Sequence, residues 1–402
     1  MKRFQACRAL VSKAIVPVSM MLGLASIAHA RPWNWTAVNL HPGDAIWSVA
    51  WDASGDQQVG RALVVGSPQA CIWNGTAQSW TPLHPSNVGA SFAFASNGVQ
   101  QVGFTTSKGG QINAALWNGP SGAWINLHPD GASNSTASAI FGDMQGGSAK
   151  FGAIYGAGLW KGNPASWVSL NPDGATMSDI EALDATQQVG FATVNGSMRP
   201  SLWTGTAQSW VDLTPSGASS GQVWDVENGT QVGFAVFDGK KRAGTWYDTP
   251  SSWVSWHPQE ASESIAYSIE GDLLVGTATI DGVERAVVRE VFSGKLTRLD
   301  WLLEGEWEAT VARSISSKGN LVYVAGEGFN KLTQRTEALL WIGKGGSSCY
   351  NDCNGDGWLN IDDFICFQTF FALGDPYADC DQNGQLDFDD FICYQTCFAI
   401  CC

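Results

Sequence analysis

A single block, Trp-x-x-Leu-x-Pro, recurs down the middle of this chain at residues 80–85, 124–129, 167–172 and 210–215, and at 253–258 with Trp256 in place of leucine. A looser copy at 35–42 precedes the series, a degenerate one at 296–299 follows it, and successive blocks start 43 to 45 residues apart. Between blocks come a Val-Gly or Phe-Gly segment (Val59, Val102, Phe151, Val189, Val232, Val275, and 322–326 in the last) and an apolar segment ending in tryptophan. These terminal tryptophans are Trp73, Trp117, Trp160, Trp203, Trp246 and Trp341, with Val288 replacing one. Alternating residues after each proline, such as 48–51 and 264–267, supply a further strand. Four short strands per unit, punctuated by Gly, Asn and Asp, make each period a propeller blade rather than part of a sandwich.

The blade number follows from how the series starts and stops. The chain enters on a Trp-block strand at 33–40 and leaves on the Trp341 strand, so the first strand has no set of its own and the last set has no Trp block. Pairing the two predicts an all-β, seven-bladed β-propeller whose seam joins one N-terminal to three C-terminal strands, which removes open sheet edges. Six or eight blades remain compatible with the irregular stretch 296–341.

A different pattern occupies the last fifty residues. Asp352, Asn354 and Asp356, Gly357 and Asp363 fit loop positions 1, 3, 5, 6 and 12 of a twelve-residue calcium loop, as do Asp379, Asp381, Asn383, Gly384 and Asp390. Calcium takes six to eight oxygens, so the loop must curl around one point, and glycine at position 6 permits the turn. Trp358 and Gln385 would offer backbone carbonyls, while Asn360 and Asp387 would bind directly or through water. Each loop is expected to open a helix, at 363–373 and 390–400, with the carboxylate at its positive end. A solvated acidic turn explains one such loop but not two in register, so two calcium ions are expected.

Residues 352–400 resemble a type I dockerin, the paired loop-helix module that attaches secreted proteins to cohesin-bearing scaffolds. The partner surface departs from that family: positions 10 and 11 are Ile361-Asp362 and Phe388-Asp389 rather than small hydroxyl residues, and no Lys or Arg follows Lys344. The resemblance therefore implies calcium loops and a cohesin-like or other cell-surface partner of unspecified identity. The central repeat resembles the HAF-type extracellular repeat, with 264–277 and 179–192 as its nearest copies. That resemblance implies export and a propeller-like fold and assigns no catalytic residue.

Compartment is read from the N-terminus. Lys2, Arg3, Arg8 and Lys13 precede an apolar stretch at 14–28 and the small-x-small site Ala28-His29-Ala30, the signature of a secretory signal peptide over 1–30. No later segment is long and apolar enough for a membrane span, so the protein is expected outside the cytoplasm: extracellular, at the cell surface or in the periplasm. Eight of ten cysteines crowd the terminal module, as a small domain in an oxidising compartment warrants. The duplication favours Cys353 with Cys366 and Cys380 with Cys393, crossed pairing between halves being the alternative. Residues 31–342 are assigned to the propeller, 343–348 to a linker and 349–402 to the module. After signal removal the charge is 18 minus 37, about minus 19, a surface that disfavours nucleic acid and anionic membranes.

For the twenty tryptophans, core packing outweighs sugar stacking at the repeated positions; Trp47, Trp51, Trp224, Trp301 and Trp307 are the irregular ones suited to a ligand. His41, His84, His128 and His257 share one repeat position, where Asn171 and Thr214 substitute, so they read as turn residues and a histidine-based triad or zinc site is disfavoured. An enzyme would need carboxylates, with Asp179, Glu181, Asp225 and Glu227 nearest the expected channel, though acids on an acidic protein are ordinarily solvated. The balance favours a secreted, non-catalytic binding protein presenting a glycan or protein surface. The rival is a secreted polysaccharide-degrading glycosidase or lyase.

Overall fold

A computed structural model describes residues 33–64, 66–121, 123–291, 294–344, 353, 361–380 and 385–400. The expected signal peptide lies outside these. The chain divides into two compact units, one spanning Trp35–Gly343 and the other containing the C-terminal helices.

The first unit is propeller-like, built from five four-stranded sheets and one eight-stranded sheet. The eight-stranded sheet is two sets of four joined by a single parallel pairing, Tyr155 with Met177. In chain order the innermost strands of the seven sets, numbered here as sheets 1 to 7, are Trp47–Ser54, Ala90–Ser96, Asn134–Phe141, Ala175–Leu183, Ser220–Glu227, Glu263–Glu270 and Trp307–Lys318. Sheet 7 takes its fourth strand, Asn34–Asn39, from the start of the unit, paired with Arg335–Lys344. Sheets 7 and 1 also meet directly: Ser314 Oγ donates to Asp52 (2.5 Å) and accepts from the Ala53 N–H (3.2 Å). The stretch 296–341 is irregular in sequence because the strands of sheet 7 run 12, 10 and 10 residues.

The repeated residues explain the packing. Trp73, Trp117, Trp160, Trp203, Trp246 and Trp341 are all fully buried, each between its own sheet and a neighbour; Trp117 packs on Val59, Ala70 and Ile72 of sheet 1. The block leucines are likewise enclosed, with the Leu83, Leu127, Leu170 and Leu213 N–H groups donating to the third strand at 2.7–2.8 Å. The histidines join sheets. The His84 Nδ1 lies 2.8 Å from Ser91 Oγ, which accepts from the Ala70 N–H of the preceding sheet at 2.9 Å. His41–Ser48, His128–Ser135 and His257–Ser264 repeat this clamp, and Asn171 replaces the imidazole opposite Ser178. His41 Nε2 donates to the Ala45 carbonyl (2.9 Å), and burial, with the charge of Arg335, lowers its pKa and favours the neutral ring, whose Nδ1 then accepts from Ser48.

Two boundaries differ from expectation. Gly343 is not linker: it lies in the strand Arg335–Lys344, where a Cβ would come within 2.8 Å of the Trp35 ring. Phe151 ends a strand of sheet 3 and Gly152 opens the turn after it, so the role of the Val-Gly glycine falls to Gly147.

The second unit contains helices α1 (Ile361–Leu373) and α2 (Phe388–Ile400), each beginning two residues before its expected carboxylate. Disulfides Cys353–Cys366 and Cys380–Cys393 pair as the duplication favours, around a core of Phe367, Ala378 and Tyr394. Among the described residues no helix is long and apolar enough to cross a membrane.

Candidate active site

Each inner strand carries a one-residue bulge at an equivalent place. In sheet 1, Ala50 faces Gly60 and Asp52 faces Val59, leaving Trp51 unpaired. The same slip leaves Phe94, Ser138, Glu181, Trp224, Tyr267 and Arg313 unpaired in sheets 2 to 7. The glycine opposite each bulge is compulsory: a Cβ there would sit 1.8–2.1 Å from the carbonyl oxygen of the residue two before the unpaired one, at Gly60, Gly103, Gly147, Gly190, Gly233, Gly276 and Gly326 alike. The Val-Gly motif thus encodes the bulge, and the bulge re-aims one side chain per sheet.

These seven side chains meet from sheet to sheet. Trp51 and Phe94 lie edge-on at 5.3 Å and Trp224 and Tyr267 at 5.4 Å between ring centres. The Arg313 guanidinium sits 4.1 Å from the Trp51 centroid and 5.6 Å from that of Tyr267. Glu181 Oε1 accepts from Gln222 Nε2 of sheet 5 at 2.8 Å. Apart from Ser138, the unpaired residues are six half-buried side chains with aromatic, acidic and basic functions.

The four carboxylates singled out from sequence separate into two pairs with different surroundings. Asp225 accepts from Ser268 Oγ (2.7 Å) and from the Ile269 and Val226 N–H groups, and Glu227 accepts from the Gly271 N–H at 2.9 Å. Both tie sheet 5 to sheet 6. Asp52, unnoticed in sequence, does the same for sheet 1, with Ser96 N–H and Ser314 Oγ as donors. Asp179 and Glu181 are less occupied. Asp179 Oδ2 accepts from Ser148 Oγ at 2.8 Å, while its buried Oδ1 has no well-aligned hydrogen bond, the Ile180 N–H being the other donor close to this carboxyl. Burial pushes the Asp179 carboxyl up to about 7, partly offset by Ser148. Burial and then the charge of Asp179 push Glu181 well above the usual carboxylate range. The two cannot both ionise readily near neutrality.

A basic group stands at the seam of sheets 7 and 1. Arg313 forms a bidentate pair with Glu327, its Nε at 2.9 and 2.7 Å from the two oxygens and its Nη2 also in contact. Arg61 lies over Phe92, Trp47 and Trp51 with its guanidinium 4.6, 5.4 and 5.7 Å from the centroids. Neither arginine stood out in sequence; the available signal was position, since Arg313 is the unpaired residue and Arg61 and Glu327 directly follow bulge glycines. Of the proposed ligand aromatics, Trp51 and Trp224 reach the ring of unpaired residues, Trp47 contacts Arg61, Trp301 is 73% exposed beside Arg298, and Trp307 donates to the Glu304 carbonyl.

Of the expected calcium ligands, Asp352, Asn354, Asp356, Trp358, Asn360, Asp381 and Asn383 lie outside the described residues. Asp363 and Asp390 are fully buried in the first turns of α1 and α2, and Asp390 Oδ2 accepts from the Asp387 N–H at 2.9 Å. Asp379 is half-buried, and Gln385 and Asp387 are exposed. Two buried carboxylates at helix starts, in a segment without Lys or Arg, suit a hard cation with oxygen ligands. Among the described residues no group of three or more His, Cys, Asp and Glu side chains gathers as a metal site.

No protein-family model matches the chain, and no curated protein sequence matches it. Its fold is similar to solved structures of low identity. A puromycin hydrolase variant complexed with PGG aligns with TM-score 0.52 and 11% identity over 78% of this chain and 58% of the other. A second puromycin hydrolase structure gives 0.50 and 11% over 75% and 56%. An oligogalacturonate lyase from Vibrio parahaemolyticus gives 0.49 and 10% over 79% and 98%. The chain spans less than three fifths of the length of the two hydrolases. The two hydrolase structures run against the expectation of a non-catalytic binding protein, since both are structures of enzymes with this propeller-like fold. The acids expected to be solvated are half-buried instead, Glu181 at a bulge and Asp179, Asp225 and Glu227 at paired positions of the inner strands.

Proposed function

We propose that the chain is a secreted polysaccharide-degrading enzyme of the glycosidase or lyase type, acting through Asp179 and Glu181 at the centre of a closed seven-bladed propeller. The observation that carries this reading is the Asp179–Glu181 pair: two half-buried carboxyls sharing a strand, both raised above the ordinary carboxylate range, one with an oxygen that has no well-aligned hydrogen bond. Such a pair holds one proton near neutral pH, which supplies an acid and a base in a single site. Asp179 takes a proton, from water in hydrolysis or from a sugar carbon in elimination. Glu181, oriented by Gln222, delivers its proton to the departing glycosidic oxygen. Trp51, Phe94, Trp224 and Tyr267 offer ring faces for sugar stacking.

The C-terminal unit is read as a dockerin-like, calcium-dependent docking module for a cohesin-like or other cell-surface protein. Asp352, Asn354, Asp356, Asn360 and Asp363 would hold one calcium ion and Asp379, Asp381, Asn383, Asp387 and Asp390 the other, with carbonyls of Trp358 and Gln385. Bound calcium would neutralise part of this unit's acidic charge. Secretion is supported by the two disulfides.

Reducing-end release from a panel of polysaccharides, together with ultraviolet detection of unsaturated products, tests the catalytic reading. Glu181→Gln and Asp179→Asn are expected to lower kcat by 10²–10⁴-fold with folding retained. Turnover unchanged in both variants refutes it.

A further inference from the structure

Arg61 lacks what a half-buried cation ordinarily has. Among the described residues its side chain donates no hydrogen bond and forms no ion pair, and its Nε is buried without a partner. Its neighbours are the faces of Phe92, Trp47 and Trp51. The nearby carboxylate, Glu327, is already engaged by Arg313 through two nitrogens. Two half-buried guanidiniums therefore stand near one buried carboxylate, with the exposed Glu284 as a further acid beside Arg313, and Arg61 is the guanidinium left without an ion pair. Withdrawing an unpaired guanidinium from water is unfavourable by several kcal/mol unless an anion replaces the lost hydration. Burial accordingly lowers the Arg61 pKa from its ordinary value, Glu327 opposing.

The register places this charge at the level of the acid pair. Arg61 directly follows Gly60, Glu327 follows Gly326, and Ser148, which donates to Asp179, follows Gly147: one repeat position in sheets 1, 7 and 3. In sheet order, the acids of sheet 4 stand three sheets from either side of the seam between 7 and 1. In that order the carboxyls of sheet 4 and the guanidiniums of sheets 7 and 1 stand opposite one another, with the aromatic Phe94, Trp224 and Tyr267 of sheets 2, 5 and 6 between.

We infer that the substrate is an anionic polysaccharide and that Arg61 receives an oxyanion on one of its sugar rings, with Arg313, fixed by Glu327, beside it. The substituent is a uronate carboxylate or a sulfate ester; both present oxygens to a guanidinium fork. Arg61 is thus a specificity residue, and the inference rests on the polysaccharide-degrading function proposed above.

Titration calorimetry on the full-length secreted protein carrying Glu181→Gln, which spares the ligand, tests this with oligomers of polygalacturonate, a sulfated galactan and a neutral xylan. At least one acidic oligomer should bind tenfold or more tightly than the xylan, with affinity falling as salt rises. Arg61→Met should remove that preference while leaving xylan binding unchanged; Arg61→Lys, which keeps charge but loses the fork, should weaken it partly and serves if the methionine variant does not fold. The inference is overturned if neither acidic oligomer binds better than xylan or if Arg61→Met leaves acidic binding intact. Whichever acidic ligand responds identifies the substituent. Xylan turnover that depends on Glu181, without acidic preference, sinks this inference alone. An Arg61-dependent acidic preference with turnover indifferent to Glu181 sinks the catalytic reading alone.

Discussion

Replacing Gly190 by alanine tests the link between repeat and site most directly. A Cβ there would lie 2.1 Å from the Asp179 carbonyl oxygen and 3.1 Å from both the Asp179 carbonyl carbon and the Glu181 nitrogen. Ordinary carbon–oxygen contact needs more than 3 Å, so the inner strand must retreat by about 1 Å at the bulge that presents Glu181. Nothing flexible can yield, because every atom met is backbone. Overpacking of this kind costs typically 1–3 kcal/mol, and about 3 is the appropriate end of the range for a backbone clash. For a unit of about 310 residues, an unfolding entropy of roughly 2.1 cal/mol/K per residue makes that a fall in Tm of about 5 °C. Gly60→Ala supplies the control, since its Cβ would meet the Val49 oxygen at 2.0 Å in sheet 1. Both variants should lose similar stability by thermal circular dichroism. Gly190→Ala should lose turnover by at least tenfold through displaced carboxylates, whereas Gly60→Ala should chiefly weaken ligand binding at Trp51. A Gly190→Ala protein with unaltered Tm would refute the claim that these glycines exist to accommodate the bulge.

Three other outcomes are expected. Because Asp179 titrates near 7 when folded and near 3.8 when unfolded, the folded state holds more protons between these values, so stability falls as pH rises from about 4 to about 7; Asp179→Asn should flatten that slope in denaturant titrations and, after discounting for partial exposure, stabilise the protein by on the order of 2 kcal/mol above pH 7. Deleting residues 34–39 removes the partner of Arg335–Lys344 and leaves a sheet edge open, so the product should aggregate in light scattering; a monomeric product with unchanged cooperativity contradicts the closed ring. Calorimetric titration of the full chain should give two calcium sites, reduced to one by Asp379→Asn with Asp390→Asn, and a stoichiometry near zero for the parent removes the docking-module reading.

Much of the architecture was legible because the repeat writes it seven times over. Period, strand content, tryptophan cores and the pairing of the N-terminal strand all follow from patterns in which each residue's job is local or shared with an identical neighbour. The disulfide pairs were legible from duplication for the same reason. Where one copy drifts, the reading failed: Phe151-Gly152 stood in for Gly147, and Gly343 passed for linker, because glycine in a turn and glycine under an indole look alike in sequence.

The candidate site was only partly legible. Asp179, Glu181, Asp225 and Glu227 were chosen from sequence as equals, and only the folded chain divides them. Asp225 and Glu227 find donors on the next sheet, whereas Asp179 keeps an oxygen with no well-aligned hydrogen bond. Arg61, Arg313 and Glu327 carried no motif at all; they meet because sheets 7 and 1, formed from opposite ends of the unit, are brought together. Periodicity along a chain determines strands and blades, since these depend on neighbours a few residues away. Which side chains share an enclosed volume, and hence which acid keeps its proton and which base lacks a partner, depends on desolvation and contacts that exist only once the sheets have assembled.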